Sequence, residues 1–386
     1  MNITAITPVV VNAHMRNWVF VKVETNEGII GWGEASVEWK TRAVAGCIDD
    51  LTPFILGEDP TRIEHIYQIL YRQAFFRSGV VGMSALSGIE QACWDIFGKS
   101  VGLPVYKLLG GLVRDRIRMY DHLGGGEMHS LYLDDQPEVM AERARRSVEE
   151  GFTAIKTLVV PRTLPLDGRA PLRHADRCMA AIRAAVGDDV DIMVDLHGRT
   201  WPEMAIQYAD VLAPYRPWFF EEPVPPENVD ALVQVARAIH IPVATGERLM
   251  TRYGFREVLE KRACGIIQPD LCHCGGLLET RRVAAMAETY FVSVAPHNPL
   301  GPVATAAALQ FGFATPNFLI QEFLRSDVPW RDEVLVEPLV FDQGYAYPTH
   351  KPGLGVEVNE AVAAQHPFQQ EEILRYFHPD GAVADW

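Results

Sequence analysis

From about residue 117 onward one unit recurs: a short apolar run, a polar residue at its end, and a segment with apolar positions at helical spacing before the next run. That alternation predicts βα repeats. The runs are Ile117 to Tyr120, Phe152 to Leu158, Val190 to Val194, Pro217 to Phe220, Ile241 to Ala244, Gly265 to Ile267, Phe291 to Ala295 and Asn317 to Ile320. Eight runs predict a (β/α)8-type barrel of the α/β class. Between runs, Val229, Leu232, Val233, Ala236 and Ile239 form an apolar stripe for the barrel wall, and Glu142, Arg145, Arg146 and Glu149 mark an outer helix face.

The pattern ahead of residue 117 differs. Val19 to Glu24 alternates, Asn26-Glu27-Gly28 supplies a turn, and a second strand leads into Gly31-Trp32-Gly33-Glu34, so a hairpin is expected to open the chain. Gly31-Trp32-Gly33 itself reads as a turn, because the full glycine fingerprint and following helix of a nucleotide loop are missing. Met83 to Gly98 is helical in pattern. The expected organisation is an N-terminal α+β capping domain over 1–115, a catalytic barrel over 116–329, and a C-terminal segment, 330–386, wrapping back onto the cap.

Composition narrows the function. The chain has 386 residues, 48% hydrophobic and 22% charged, which is globular, and no apolar stretch reaches the ~18 residues of a membrane span. The start Met1-Asn2-Ile3-Thr4 lacks a signal-peptide pattern, so a cytoplasmic location is expected. Six cysteines without a CxxC are expected to be reduced and mostly buried. A net charge of −15 disfavours nucleic acid and anionic membranes as partners. A small anionic substrate would need local positive charge, such as a metal ion.

Catalytic groups of such barrels sit at the C-terminal ends of the strands, where all eight converge on one mouth. Six successive runs end in Asp195-Leu196-His197, Glu221-Glu222-Pro223, Gly246-Glu247-Arg248, Pro269-Asp270, Pro296-His297 and Gln321-Glu322. A lone acid after a strand is usually a helix cap or a solvated loop residue. Six in register favour a site. Asp195, Glu221 and Glu247, from adjacent strands and without cysteine, make a hard oxygen set suited to Mg²⁺. Glu222 follows a ligand directly, points the other way along a strand, and is expected to be a structural partner.

The whole chain resembles the enolase superfamily, in its mandelate racemase-like subgroup. The matching segments are Gly31-Trp32-Gly33-Glu34, Ala85-Leu86-Ser87-Gly88-Ile89 with Trp94-Asp95, Leu109-Gly110-Gly111, Asp195 to Arg199, Glu221-Glu222-Pro223, Gly246-Glu247-Arg248, Gln268 to Leu271, Ala295-Pro296-His297 and Lys351 to Gly355. The resemblance implies dehydration of a sugar acid, D-galactonate foremost, with gluconate, arabinonate or galactarate as alternatives, and a homo-oligomer. It implies His297, oriented by Asp270, as base for the α-proton, and His197 as acid for the β-hydroxyl. Glu322 then donates a hydrogen bond to the substrate carboxylate, and Lys156 adds positive charge. Arg16, Trp18 and Arg77, in cap loops, and Arg248 are the candidates for substrate contact.

One departure narrows the chemistry. Racemases of the family carry Lys-x-Lys on the second strand, but here Lys156-Thr157-Leu158 leaves no second base. A racemase or cycloisomerase is weakened accordingly, and a non-catalytic barrel has no need of His197 and the Asp270/His297 pair. Cys272-His273-Cys274 is expected to pack, not to bind a soft metal.

Overall fold

The computed structural model describes the chain except residues 74, 78, 126–127, 133–135 and 325–326, and the side chains of 130 and 131. Three antiparallel strands in the order β1-β2-β3 open the chain: β1 (Ile3–Ala13), β2 (Arg16–Thr25) and β3 (Ile30–Glu34). The expected hairpin is β2-β3; β1 precedes it. Pro8 and a run of valines obscure the alternation of β1, but Pro8 is tolerated because β1 is an edge strand and needs no N–H there.

Gly31-Trp32-Gly33 corrects the turn reading: all three residues lie inside β3. Their glycines answer a close approach rather than a bend. A Cβ on Gly31 would stand 2.2 Å from the Ala92 carbonyl oxygen, and one on Gly33 1.9 Å from that of Gly88. The helix that presses on them, Gly79–Val101, contains the expected 83–98 segment and supplies seven of the 22 buried residues of the cap's core.

The barrel strands are β4 (Ile117–His122), β5 (Ala154–Thr157), β6 (Asp191–Asp195), β7 (Phe220–Glu221), β8 (Val243–Thr245), β9 (Ile266–Ile267), β10 (Ser293–Val294) and β11 (Gln321–Phe323). They pair in parallel in chain order, and β11 returns to β4, with Glu322 opposite Tyr120. The last strand lies later than the expected 317–320. That stretch pairs with β10 through Phe318 and Val294, and only beyond Ile320 does the chain reach β4.

Among the described residues one longer helix follows each of the first seven strands: Pro137–Glu149, Arg169–Val186, Pro202–Leu212, Val229–Ala238, Thr251–Glu260, Gly276–Thr289 and Pro302–Phe313, with a short one, Met128–Tyr132, ahead of the first. Three begin with proline in the first turn, where the missing N–H costs nothing. After β11 the only helix among the described residues is the four-residue Glu360–Ala363, and the segment folds against the cap instead. There the Asn12 N–H donates to the His366 carbonyl, Asn17 Nδ2 to the Gln369 carbonyl and Trp330 Nε1 to the Asn12 carbonyl. Inside the barrel, Tyr120, Ala154, Met193, Phe219, Ala244, Ile266, Ala295 and Ile320 form a small inner core, so it is a packed cylinder. Among the described residues no helix is long and apolar enough to cross a membrane.

Candidate active site

Strand ends bring the expected polar residues to one mouth. Asp195 closes β6 and stands opposite Glu221 on β7. After Asp195 the backbone turns sharply: His197 takes φ +54° and Gly198 φ +65°. The strained turn is held by the His197 N–H, which donates to Asp195 Oδ1 at 2.7 Å. Asp270 follows β9 and receives His297 Nδ1 at 2.8 Å and the Cys272 N–H at 2.6 Å. His297 Nε2 lies 3.5 Å from Glu247 Oε2. Asp195, Glu247, His197, His297, Lys156 and Glu322 line one cavity of about 40 Å³, beside Arg16, Leu158 and Tyr132.

Lys156, buried on β5, sits among the acids: 2.7 Å from Glu322 Oε1, 2.9 Å from Glu221 Oε1 and 3.7 Å from Asp195 Oδ2. Burial lowers its proton affinity, but Glu221 and Glu322 outweigh that and hold it well above the usual lysine range. Glu322 is buried too, yet Lys156 keeps it down at about 2. Burial instead pushes Glu221 up to about 7 and Glu247 well above its ordinary value. One ammonium does not balance these carboxylates, and Glu221 Oε2 is buried without a hydrogen-bond partner among the described residues.

Those features fit a hard divalent cation at Asp195, Glu221 and Glu247: three oxygen-donor side chains, a buried orphan oxygen and excess negative charge. Among the described residues no three such side chains already stand as a closed ligand cluster, because Lys156 draws Glu221 and Glu322 to itself.

The two histidines differ. Burial pushes His197 down to about 4, with Asp195 opposing. For His297, burial is outweighed by Glu247 and by the hydrogen bond to Asp270, which hold it well above the ordinary histidine value. Glu322, expected as a hydrogen-bond donor to substrate, accepts from the Asn298 N–H at 2.8 Å, and the Lys156 ammonium beside it holds its carboxyl below the usual range.

Among the four candidates for substrate contact, Arg16 lines the cavity, held by Glu38 at 2.7 Å and the Pro299 carbonyl at 2.6 Å. Trp18 does not: although it shares a face of β2 with Arg16, it is fully buried in the main core beneath the Arg331 guanidinium. Arg77 is exposed and lies over the Tyr71 ring, away from the cavity. Arg248 turns from the cavity to pair with buried Glu222, the structural partnership expected of that glutamate.

Cys272 and Cys274 are fully buried and His273 nearly so; His273 Nδ1 meets Ser84 Oγ at 2.9 Å and its Nε2 lies 3.5 Å from Asp270 Oδ2. Sequence reasoning missed the remaining wall: His122, Tyr132, Glu38 and, against His197, Trp386. Only β4 gave a signal, since His122 stands beside Lys156 in register.

Comparison with known proteins agrees with this architecture. Residues 3–110 match the mandelate racemase / muconate lactonizing enzyme N-terminal domain, and residues 139–362 match the enolase C-terminal domain-like family. The chain is 41% identical over 379 residues to D-galactonate dehydratase of Pectobacterium atrosepticum, covering 96% of each chain, and equally identical to that of Verminephrobacter eiseniae. It also superposes, with a TM-score of 0.91, 33% identity and full coverage of both chains, on an Agrobacterium radiobacter enolase solved with bound Na and L-malate. The chain therefore belongs to the enolase superfamily, with the two-domain organisation of the mandelate racemase and muconate lactonizing enzymes.

Proposed function

We propose that this chain is a Mg²⁺-dependent acid-sugar dehydratase that converts D-galactonate to 2-keto-3-deoxy-D-galactonate. The carrying observation is that two differently partnered histidines, His297 with its ring Nδ1 on Asp270 and His197 with its backbone N–H on Asp195, line one cavity with convergent carboxylates and a buried lysine. The 41% identity to named D-galactonate dehydratases over nearly the whole chain supports the substrate. Leu158, where a racemase would carry a lysine, supports elimination over racemisation.

Asp195, Glu221 and Glu247 would hold the metal, which supplies Lewis-acid stabilisation of charge developing on the substrate carboxylate. His297 takes the α-proton at Nε2, while Asp270 keeps Nδ1–H in place. Glu247 favours a proton on His297, so the base form needs Glu247's charge taken up, which its role as ligand does. His197 then gives its Nε2 proton to the β-hydroxyl, the C–O bond breaks, and the resulting enol tautomerises to the 2-keto acid. Lys156 stays charged throughout and attracts the anionic substrate, and Arg16 closes on it from the cap. The histidines' proton affinities in this structure also support a second reading with the two roles exchanged.

The same proposal includes a cytoplasmic homo-oligomer without nucleic-acid or membrane partners, in keeping with the net charge of −15, and unit boundaries near residues 115 and 330. The decisive experiment incubates the protein and Mg²⁺ with D-galactonate, gluconate, arabinonate and galactarate and assays 2-keto-3-deoxy acids. Product from D-galactonate is expected. Product from another acid alone would move the substrate and keep the chemistry; no product from any would overturn the dehydratase reading.

A further inference from the structure

The segment from Tyr376 to Trp386 lies over the cavity and makes a contact that the chemistry above leaves unused. It is a small hairpin: Phe377 pairs with Val383, the Ala384 N–H donates to the Tyr376 carbonyl at 3.0 Å, and Pro379-Asp380-Gly381 makes the turn. This returns Trp386 to the mouth of the barrel. There its indole meets three rings, Trp39 of the cap at 4.2 Å, Tyr132 at 4.8 Å and Tyr376 at 5.1 Å between centroids. Beneath them Met15, Met128 and Leu158 complete an apolar cluster, separate from the main cores. Leu158 therefore does more than lack an amine: it supplies apolar surface for this roof.

The backbone of the same residue reaches inward. The Trp386 carbonyl oxygen lies 2.9 Å from His197 Nδ1. A carbonyl only accepts, so Nδ1 must carry a proton, and Nε2 is the nitrogen left to face the cavity that His197 lines. We propose that Trp386 is a positioning residue for His197, its indole anchored in the aromatic roof and its main-chain carbonyl fixing the imidazole tautomer so that Nε2 is the atom that exchanges a proton with substrate. The arrangement parallels Asp270 on His297, with a main-chain oxygen in place of a side-chain one. To serve as the acid His197 first takes a proton at Nε2 from solvent; it passes that proton to the leaving hydroxyl while the Nδ1–H bond stays intact, so the imidazole returns to the neutral Nδ1–H tautomer.

The catalytic consequence rests on the proposed dehydration; the tautomer does not. The test therefore reads both. In nitrogen-15 spectra of the full-length protein, the His197 signal, assigned by its loss in His197→Gln, should show Nδ1 protonated, and Trp386→Ala should lose that preference. A wild-type His197 protonated on Nε2 alone, or a Trp386→Ala spectrum unchanged at His197, overturns the proposal. With substrate, Trp386→Ala should lose about ten- to a hundredfold in dehydration, a share of the ~10²–10⁴ that a positioned acid contributes. Exchange of the α-proton with D₂O should stay within about twofold, and Trp386→Phe, which keeps an aromatic anchor, should recover most of the loss. Equal losses of exchange and dehydration, without rescue by phenylalanine, would mark a structural lesion and sink the positioning role. If the wild type turns over no sugar acid, the functional reading fails, while the spectra still decide the tautomer.

Discussion

His297, after β10, and His197, after β6, reach one cavity from strands four apart in the barrel of eight, and their partners divide the labour between them. If His297 takes the α-proton, His297→Asn abolishes both dehydration and α-proton exchange in D₂O. His197→Asn blocks dehydration but leaves exchange measurable, because the base is intact. Losses near the ~10²–10⁴ typical of acid–base help are large enough to separate the two, and proton NMR of unreacted substrate reads them. Exchange lost in the His197 variant and kept in the His297 variant would reverse the roles. A second residue-scale expectation concerns the metal. Glu221→Gln replaces a fully buried carboxylate by an isosteric amide, so the fold survives while Mg²⁺ affinity falls by an order of magnitude or more, in a titration followed by calorimetry. Affinity equal to wild type would remove Glu221 from the ligand set. The acids at strand ends were legible because each falls one βα unit after the last. Trp386 was not: it meets His197 across 189 positions of sequence, through a backbone atom that no side-chain pattern reports.

At the scale of elements, the family motifs that read as unexplained signatures become joints between cap and barrel. Buried Glu90, on the Gly79–Val101 helix, accepts from the Leu277 and Leu278 N–H groups, both at 2.8 Å, and so caps the Gly276–Thr289 helix. Asp95 in the same helix accepts from the Trp32 and Leu354 N–H groups and pairs with Lys99 at 2.7 Å, which ties Trp94-Asp95 to the Lys351 to Gly355 motif. Burial pushes Glu90 up to about 8, against an ordinary value of 4.5. A carboxyl whose folded value is raised binds its proton more tightly when folded. Its contribution is therefore complete below pH 4.5 and is lost as the pH climbs through 8. Urea unfolding at pH 5 and pH 8 should show a smaller stability difference in Glu90→Gln than in wild type, although the amide, with one acceptor for the Leu277, Leu278 and Trp94 N–H donors, lowers stability at both. Equal differences in the two proteins would show that Glu90 ionises as easily folded as unfolded. Periodicity found the helix that carries these acids, and missed β1, whose proline and valines break the alternation; it cannot report which helix end an acid will reach.

On the scale of the whole molecule, three buried carboxylates of the cap reach across to the barrel segments or to the C-terminal segment, and the active site lies along the same seam. Glu34 is the most telling. It ends β3, is fully buried, and accepts from the Gly301 and Ala304 N–H groups at 2.8 Å each and from Ser36 Oγ at 2.6 Å. The first two are unsatisfied donors at the start of Pro302–Phe313, a helix buried on every side, so no water can replace the carboxylate. The cap thus supplies the N-terminal cap of a barrel helix, and the barrel in turn buries β3. Two units joined in this way should unfold as one, whereas domains meeting through an ordinary polar interface melt apart. Calorimetry of the wild type is expected to give a single transition with matching calorimetric and van't Hoff enthalpies. Glu34→Ala strands two buried N–H groups at a cost of roughly 3 kcal/mol, concentrated at the seam. It should broaden or split the transition while each unit keeps its own core, and it should weaken activity beyond the loss in stability, because Arg16 reaches the cavity only from the cap. A single sharp transition merely shifted to lower temperature would mean that the cap and barrel are coupled through their apolar contacts alone.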